Sequence, residues 1–322
     1  MQEIIVTTNE AGQRFDKLLT KYLNQAPKSF IYKMLRKKNI VLNGKKADGS
    51  EKLQVGDTVK LFLADETIEK FSKVEIQRTD ANLNIVYEDE HVLMINKPVG
   101  MLSQKAEAKD DSLVEHIISY MLQTRQLTEE ELRKFKPSIC NRLDRNTSGL
   151  VVAGKSLAGL QQMGELFKER SLRKFYRCLV AGEVQGSQYI KGYLTKDEIA
   201  NKVSILGKET KDSLPIETEY RPIQSNGKVT LLEVHLITGR THQIRAHLAS
   251  IGCPIIGDYK YGNRKINDAY KDKYGLESQL LHAYRVELPT LTGVLQTISE
   301  KAFVAPIPKL FDEILNGENL RG

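Results

Sequence analysis

The stretch NRLDRNTSGLVV, residues 141–152, joins a polar loop to an apolar strand. Its first eight residues are mostly polar, whereas residues 150–153 form an apolar run typical of a buried strand. Asp144 stands between Arg142 and Arg145, whose positive charges favour the ionised form of its carboxyl group. Such a carboxylate can act as a nucleophile or a base. On this pattern alone, a structural ion pair in a loop is the better explanation.

Strand-like and helical segments surround this stretch without regular alternation. Upstream, strand-like runs at 84–88 and 91–96 precede a helical pattern over residues 110–136. Downstream, strand-like runs follow at 174–181, 217–222, 229–237 and 286–288. Since strands and helices do not alternate, the sequence predicts an α+β domain with a mixed, largely antiparallel sheet flanked by helices.

The N-terminal part has a different pattern. Apolar residues at helical spacing over residues 14–24 predict a helix, and Ser29 can cap a second one. A short apolar run at 40–42, an Asn43-Gly44 turn signal and a strand-like run at 55–63 follow. The sequence therefore predicts a small helix–helix–hairpin unit.

These patterns divide the chain into four parts. We expect the small unit over residues 1–63 and the α+β domain over residues 83–305. Residues 64–82 are charged and weakly apolar, which predicts a linker, with a mobile helix as the alternative. Residues 306–322 are expected to form a C-terminal tail with a short amphipathic helix and a loose end.

The positive charge is concentrated near the N-terminus. Between Glu10 and Asp65 there are 12 Lys and Arg against 6 Asp and Glu, whereas the rest of the chain holds 36 against 35. This concentration indicates a polyanionic partner such as nucleic acid, and a solvated lysine-rich helix face is the alternative. The candidate phosphate contacts are Lys17, Lys33, Arg36, Lys37 and Lys38.

Several classes of protein do not fit the sequence. No apolar run approaches the roughly 18 residues needed to span a bilayer, and no secretory signal is expected from the first residues. Three widely spaced cysteines, Cys140, Cys178 and Cys253, predict no disulfide framework and fit a reducing compartment. We therefore expect a cytoplasmic protein without a membrane partner, acting as a monomer.

Familiar cofactor motifs are missing from the sequence. Neither G-x-G-x-x-G nor G-x-x-x-x-G-K-[ST] occurs, so no nucleotide cofactor is expected. His242 and His247 are five residues apart and lack the H-E-x-x-H pattern, so we expect no metal site there. No G-x-S-x-G elbow is present either. The prediction is chemistry without a cofactor.

Residues 141–152 resemble the H-R-L-D-x-x-T-S-G-L motif of the RluA-type pseudouridine synthases. Three further segments resemble that family in the same order, so that the likeness covers residues 83–305; they are residues 87–100 with NKPVG, residues 173–182 with RKFYRCLVAG, and residues 238–262 with TGRTHQIRAHL. The N-terminal run AGQRFDKLLTKYL…PKSFIYKMLRKK resembles the RNA-binding domain named after ribosomal small-subunit protein four, as in the RluC-like branch.

The resemblance implies an enzyme that isomerises uridine in RNA to pseudouridine. The family breaks the bond from base to ribose and rejoins the sugar to carbon five of the ring. Its essential Asp matches Asp144, and whether that residue forms a covalent adduct or removes a proton stays open. The RluC-like branch implies large-subunit (23S) ribosomal RNA as the substrate. A non-catalytic RNA-binding or ribosome-assembly protein is the alternative; a nuclease would need a metal cluster or paired histidines.

The resemblance also implies roles for four other residues. Tyr176 is expected to stack on the target uracil and to help remove the proton from carbon five, and Arg245 is expected to pair with Asp144. Arg142 is expected to fill the gap left by the flipped base, and Leu281 to contact the base from below. From the residues alone, Tyr176 is equally an ordinary strand aromatic, Arg245 a surface arginine and Leu281 a core residue. The remaining polar residues of the motifs are expected to be structural or to face phosphates: Lys97, Arg240, His242 and His247.

One position departs from the family pattern. The family commonly has His where this chain has Asn141. Asn can donate and accept hydrogen bonds but cannot become charged. Because the Arg-Leu-Asp sequence that follows is intact, we expect a changed local strut and a preserved activity.

Overall fold

The computed structural model describes residues 1–73, 79 and 81–320, and these residues build two separate sheets. Among the described residues, the smaller sheet has three strands and the larger has eleven. The two sheets have different cores. The buried apolar cluster beside the small sheet runs from Ile4 to Ile68, and the buried residues beside the large sheet begin at Val92.

The small sheet and its helices form an N-terminal unit. Its elements are β1 (Gln2–Ile5), α1 (Phe15–Tyr22), α2 (Lys28–Arg36), β2 (Ile40–Leu42), β3 (Thr58–Leu61) and α3 (Asp65–Phe71). Strand β3 lies between β1 and β2 and is antiparallel to both. Phe15, Leu18 and Leu19 are fully buried, as their helical spacing predicts.

Details of this unit differ from the sequence prediction. Ser29 lies within α2, whose N-cap is Pro27 and has no side-chain cap. Asn43 and Gly44 both have positive φ, as a tight turn requires, but the strand that pairs with β2 begins only at Thr58. The Asn43 amide donates to Asp57 at 2.8 Å and accepts from the Thr58 N–H at 2.8 Å, which ties the long loop back to the turn. Strand β1 was not predicted.

The predicted linker, residues 64–82, begins with a packed helix. In α3, Ile68 is fully buried in the N-terminal cluster, and the Phe71 ring centroid lies 4.8 Å from that of Phe30. The boundary at residue 63 is therefore wrong, because these apolar side chains cover one end of the N-terminal core. Of the remaining linker, residues 74–78 and 80 lie outside the described residues.

The large sheet has the strand order β10-β9-β11-β12-β8-β13-β7-β5-β4, with β14 beside β13 and β6 beside β7. Every pairing is antiparallel except that of β7 with β13. The predicted mixed, largely antiparallel sheet is therefore confirmed. The strands are β4 (Ile85–Glu88), β5 (Val92–Lys97), β6 (Ser138–Ile139), β7 (Ser148–Gly154), β8 (Arg173–Ala181), β9 (Gln188–Asp197), β10 (Lys202–Leu206), β11 (Leu214–Ser225), β12 (Val229–Leu236), β13 (Leu281–Glu287) and β14 (Ala302–Val304).

Helices flank this sheet, as predicted. They are α4 (Leu113–Gln123), α5 (Glu129–Leu132), α6 (Leu157–Glu169), α7 (Gln243–Ser250), α8 (Arg264–Tyr274) and α9 (Lys309–Gly317), with a 3-10 turn at Gly293–Ile298. The single helix predicted over residues 110–136 is wrong. Arg125 adopts φ +57° and ends the first helix, and Thr128 starts the second through a capping box with Glu131.

The C-terminal tail is not loose. Helix α9 buries Phe311, Ile314 and Leu315, and Leu320 is fully buried in the same apolar cluster as Leu179 of β8. These contacts tie residues 306–320 to the large sheet, so the predicted loose end is wrong, while its amphipathic helix is present. Residues 321–322 lie outside the described residues.

The parallel pairing of β7 with β13 joins the two halves of the large sheet. Gly149 pairs with Ala283 and has φ +113°, and a Cβ at Gly149 would overlap the Ala283 backbone. Only glycine permits this approach. Next to it, His282 Nδ1 lies 2.8 Å from the Ser148 hydroxyl and Nε2 lies 3.1 Å from the Ala305 carbonyl oxygen. Burial lowers the pKa of His282 to about 4, so this histidine is neutral and structural.

Candidate active site

Asp144 lies in the loop before β7, and neighbouring groups fix this loop. The Ser103 hydroxyl donates to the Leu143 carbonyl oxygen at 2.7 Å and accepts from the Leu143 N–H at 2.9 Å. The Thr147 N–H donates to the Asp144 carbonyl oxygen at 3.0 Å, which closes a turn around the residue. The backbone that carries the carboxylate is therefore held in place by the protein itself.

Asn141, where the family commonly has His, braces the same loop against β7. Its side-chain oxygen accepts from the Val152 N–H at 2.8 Å, and its nitrogen donates to the Leu150 carbonyl oxygen at 3.2 Å. Neither bond needs a charged side chain. An asparagine amide supplies one donor and one acceptor here, so the departure from the family pattern leaves a two-bond strut in place.

Arg245 of α7 joins two carboxylates in the interior. Its Nη1 donates to Asp144 Oδ2 at 2.9 Å, while Nε and Nη2 donate to the two carboxylate oxygens of Asp258 at 2.7 and 3.0 Å. Arg245 is 8% exposed and Asp258 1% exposed. Burial opposes the charged guanidinium, but the bonds and charge of Asp258, and then the charge of Asp144, raise the pKa of Arg245. The arginine is thus a permanent cation that positions Asp144.

His242 and Tyr261 complete the surroundings of the Asp144 carboxylate. His242 Nδ1 lies 2.9 Å from the Tyr261 hydroxyl, and Nε2 lies 3.9 Å from Asp144 Oδ2. The Tyr261 ring lies 5.3 Å from the Arg245 guanidinium carbon. Burial lowers the pKa of His242, with the Asp144 charge opposing. Arg245 and His242 both approach Asp144 at Oδ2. Asp144 Oδ1 has no partner among the described residues.

Tyr176 and Leu281 lie side by side on one face of the sheet. They are 7% and 5% exposed, and in the β8–β13 register Tyr176 pairs with Ala283 while Leu281 pairs with Cys178. Burial, and then the charge of Asp144, raises the pKa of Tyr176. The phenol is therefore protonated at neutral pH. It can stack on a base or donate a hydrogen bond.

Lys97 is a structural lysine within the same region. It is fully buried, and its Nζ donates to the carbonyl oxygens of Pro98, Met101 and Arg145 at 2.9, 2.9 and 3.0 Å. All three hydrogens of the ammonium are thus used. Burial lowers the pKa of Lys97 to about 8. The lysine connects the end of β5 to the loop that carries Asp144.

Asp144, Arg245, His242, Tyr176 and Leu281 line one cleft of about 1310 Å³. The Asp144 side chain is 27% exposed there, Tyr176 and Leu281 form part of the wall, and Arg142 is exposed at the edge. The structure thus brings together Asp144, Tyr176, Arg245, Leu281 and Arg142, five residues that sequence reasoning singled out. An accessible carboxylate oxygen lies in the same cleft as a protonated tyrosine, which suits chemistry on a sugar attached to a flat base.

The five predicted phosphate contacts lie elsewhere, in the N-terminal unit. All are exposed, none forms an ion pair with a carboxylate in the described part of the chain, and none lines the cleft: Lys17, Lys33, Arg36, Lys37 and Lys38. This arrangement presents an uncompensated positive surface to solvent.

Sequence reasoning assigned no role to Asp258, Tyr261 or Ser103. Asp258 and Tyr261 stand in a quoted motif, and a carboxylate within an otherwise apolar, glycine-rich run was a signal for a buried partner. Ser103 carried no signal. His247 was predicted to be structural or to face phosphates. It is buried, and its Nδ1 lies 3.0 Å from the Thr218 hydroxyl. Burial lowers the pKa of His247 to about 4.

The described residues offer neither a metal site nor a membrane-spanning helix. No group of three or more His, Cys, Asp and Glu side chains in this part of the chain is arranged to hold a metal ion. Within the same residues, no helix has the length and apolar character needed to cross a membrane.

Known proteins resemble this chain over most of its length. Residues 91–250 match the family described as RNA pseudouridylate synthase. The ribosomal large subunit pseudouridine synthase C of Vibrio parahaemolyticus is 32% identical over 89% of this chain and 88% of its own, and that of Escherichia coli is 31% identical over 87% and 86%. The structure of human RNA pseudouridylate synthase domain containing 4 superposes with a TM-score of 0.59 at 25% identity, covering 74% of this chain and 94% of its own.

Proposed function

This chain belongs to the RluA-type branch of the RNA pseudouridylate synthase family, and we propose that it converts uridines of large-subunit ribosomal RNA to pseudouridine with Asp144 as its catalytic residue. One observation carries the residue assignment: Asp144 is held by Arg245 through Oδ2 and leaves Oδ1 unpartnered in the cleft. The names of its relatives support the choice of RNA.

Asp144 supplies the oxygen that acts on the ribose. Detaching uracil requires a carboxylate close to the sugar, and the Arg245 guanidinium, 2.9 Å from Oδ2, fixes the direction of Asp144. Oδ1 then either attacks the ribose carbon or accepts a proton from the sugar. Both routes use the same oxygen, and both end with the sugar joined to carbon five of the base.

Tyr176 and Leu281 hold the uracil while it is detached. A free base must stay in the cleft until it has rotated, and an apolar wall with one aromatic ring retains it by stacking. Burial, and then the charge of Asp144, raises the pKa of Tyr176, so its hydroxyl can donate a hydrogen bond to the base.

Arg142 takes the place of the extruded nucleotide. A uridine in stacked RNA must leave the stack before chemistry, at a cost of a few kcal/mol. Arg142 is exposed at the edge of the cleft, two residues before Asp144, and has no ion-pair partner among the described residues. Its guanidinium can stack in the gap and lower that cost.

The N-terminal unit brings the RNA to the cleft. We assign it to the RNA-binding domain named after ribosomal small-subunit protein four, now ending near Phe71, followed by the catalytic domain to residue 305 and a packed C-terminal segment. Its exposed cations contact phosphates. The protein acts as a cytoplasmic monomer on RNA, without a nucleotide cofactor.

Mapping of pseudouridines tests this function. The purified chain is incubated with unmodified large-subunit and small-subunit ribosomal RNA, and carbodiimide primer extension locates the products. We expect stops in the large-subunit RNA only, at the sites that are lost in a strain without the protein. Stops in neither RNA, together with retained binding, would support the alternative of a non-catalytic RNA-binding protein.

A further inference from the structure

Lys97 and Lys174 are both withdrawn from solvent near the cleft, but they differ in their partners. Lys97 is fully buried and donates to three carbonyl oxygens. Lys174, on β8, lines the cleft and is half-buried, yet its Nζ has no hydrogen-bond acceptor and no carboxylate partner among the described residues. Burial lowers the pKa of each lysine to about 8. Lys174 thus bears the cost of burial without a compensating contact.

Other unpaired cations lie beside Lys174. Its Nζ lies 3.5 Å from the position that a Cβ on Gly239 would occupy, which places the ammonium against the turn before α7. Arg240 follows in that turn, and its buried Nε has no hydrogen-bond partner in the described part of the chain. Arg170, at the end of α6, is close enough for its charge to lower the pKa of Lys174 further.

This cluster contrasts with the compensated arginine of the same cleft. Arg245 is buried against two carboxylates, whereas half-buried Lys174 and the buried Nε of Arg240 have no described counter-ion, and exposed Arg170 adds positive charge close to Lys174. An anion bound beside Lys174 and Arg240 would offset the cost of burying these cations. Since the phosphodiester is the anionic group of RNA, a phosphate is the ligand that fits.

The position of Lys174 determines which phosphate of the RNA it can contact. Lys174 and Tyr176 are two residues apart on β8, so their side chains share one face and are separated by roughly 7 Å. A uracil against Tyr176 therefore brings its own nucleotide's backbone close to Lys174. We propose that Lys174, with Arg240, forms a phosphate site that holds the backbone next to the target uridine. The proposal rests on the proposed function.

Single neutral linkages in the RNA test this site. The shortest ribosomal RNA fragment that the chain binds is prepared with one methylphosphonate at each linkage in turn. Affinity is measured in the Asp144→Asn background, so that the RNA is not converted. We expect one linkage to cost about tenfold in affinity. In Lys174→Met the same linkage should cost less than twofold, whereas Lys301→Met, which removes an exposed lysine outside the cleft, should keep the full penalty.

Kinetics and stability separate binding from a structural role. On the natural RNA, Lys174→Met should raise KM about tenfold with kcat within twofold, and Lys174→Arg should restore KM. Its Tm should not fall, because no contact is lost. Lys97→Met, by contrast, should lower Tm, since three carbonyl oxygens lose their donor.

The pH dependence gives a second readout. Lys174 is protonated below about pH 8, so affinity should fall as pH rises from 7 to 9. The pKa of buried Lys97 is also lowered to about 8, so this lysine loses its charge in the same range. The other charged and titratable groups that line the cleft are Cys140, Arg142, Asp144, Arg145, Lys168, Arg170, Tyr176, Lys196, Arg240, His242 and Arg245. The Lys174→Arg variant shows which lysine causes the pH dependence. If it is Lys174, the affinity of this variant for RNA should not change up to pH 9.

Equal methylphosphonate penalties in the presence and absence of Lys174 would overturn the proposal, as would a fall in Tm of Lys174→Met with unchanged KM. Failure of the proposed function is a different result. In that case the unaltered chain would form no pseudouridine on the same RNA. The effect of each methylphosphonate on affinity can still be compared with and without Lys174, because this comparison does not depend on turnover.

Discussion

The N-terminal unit and the cleft use positive charge in opposite ways. In the N-terminal unit, cations such as Lys37 and Lys38 are exposed and unpaired among the described residues, so each is free to contact an anion that approaches from solvent. In the cleft, Arg245 is buried and donates three bonds to Asp144 and Asp258. Exposed charges give salt-sensitive affinity, and buried paired charges fix geometry. Under the proposed function, the N-terminal unit attracts RNA and the cleft carries out the chemistry.

The largest effect should come from the carboxylate itself. Asp144→Asn keeps the shape of the side chain but removes the charge that acts on the ribose, so turnover should fall by roughly 10³-fold or more. Affinity for RNA should stay within a few-fold, because the N-terminal cations are intact. Pseudouridine formation and filter binding on the same RNA measure both, with Asp268→Asn, an exposed carboxylate on α8, as the control. Near-normal turnover would refute the role of Asp144.

The next effect concerns the buried pair. Arg245→Met leaves Asp258 buried without a cation and should reduce the free energy of unfolding by about 3–5 kcal/mol. Denaturant unfolding measures it, and Arg264→Met, which breaks an exposed pair with Asp268, should cost less than about 0.5 kcal/mol.

A double-mutant cycle divides this loss between the two carboxylates. Coupling of Arg245 with Asp258 should exceed its coupling with Asp144, since Asp258 accepts two bonds and is almost fully buried. Additive losses in the cycle with Asp144→Asn would mean that Arg245 does not act on Asp144.

The third effect belongs to the N-terminal unit. Replacing its five candidate cations by Gln should weaken RNA binding and flatten the slope of log affinity against log salt by about 3.5–4.5, since each lost phosphate contact contributes roughly 0.7–0.9. Turnover at saturating short RNA should be unchanged. Deleting residues 1–75 should have the same direction of effect. If the slope measured over several salt concentrations is unchanged, these cations form a solvated face that does not contact phosphates.

The smallest effect should come from the strut at Asn141. Asn141→Ala leaves a carbonyl oxygen and an N–H of β7 without partners, which should cost about 1–3 kcal/mol of stability. Turnover should fall less than in Asp144→Asn, because the Ser103 contacts still hold the loop. Thermal unfolding and pseudouridine formation, compared with Asn146→Ala in the same loop, measure the difference.

Local patterns predicted the elements better than their partners. The strand at β7 and the helices α1 and α2 follow from apolar spacing within each segment. Pairing over long distances could not be read in this way: Asp144 and Arg245 are 101 residues apart, and their contact was expected only from the family motif. Asp258 was overlooked because the turn after α7, which brings it to Arg245, gives no local signal in the sequence. A helix at α3 was only the alternative to a linker, because its two apolar side chains give a weak pattern.

The strand order also determines when each half of the molecule can be completed on the ribosome. Strand β13 lies between β7 and β8, so the sheet that joins Asp144 to Tyr176 closes only after Glu287 has been synthesised. The N-terminal core needs nothing beyond Phe71. At roughly 5–20 residues per second, the intervening chain takes about 10–40 s to make. During that interval a nascent chain has a complete N-terminal unit, with its proposed RNA-binding surface, but its active site is not yet assembled.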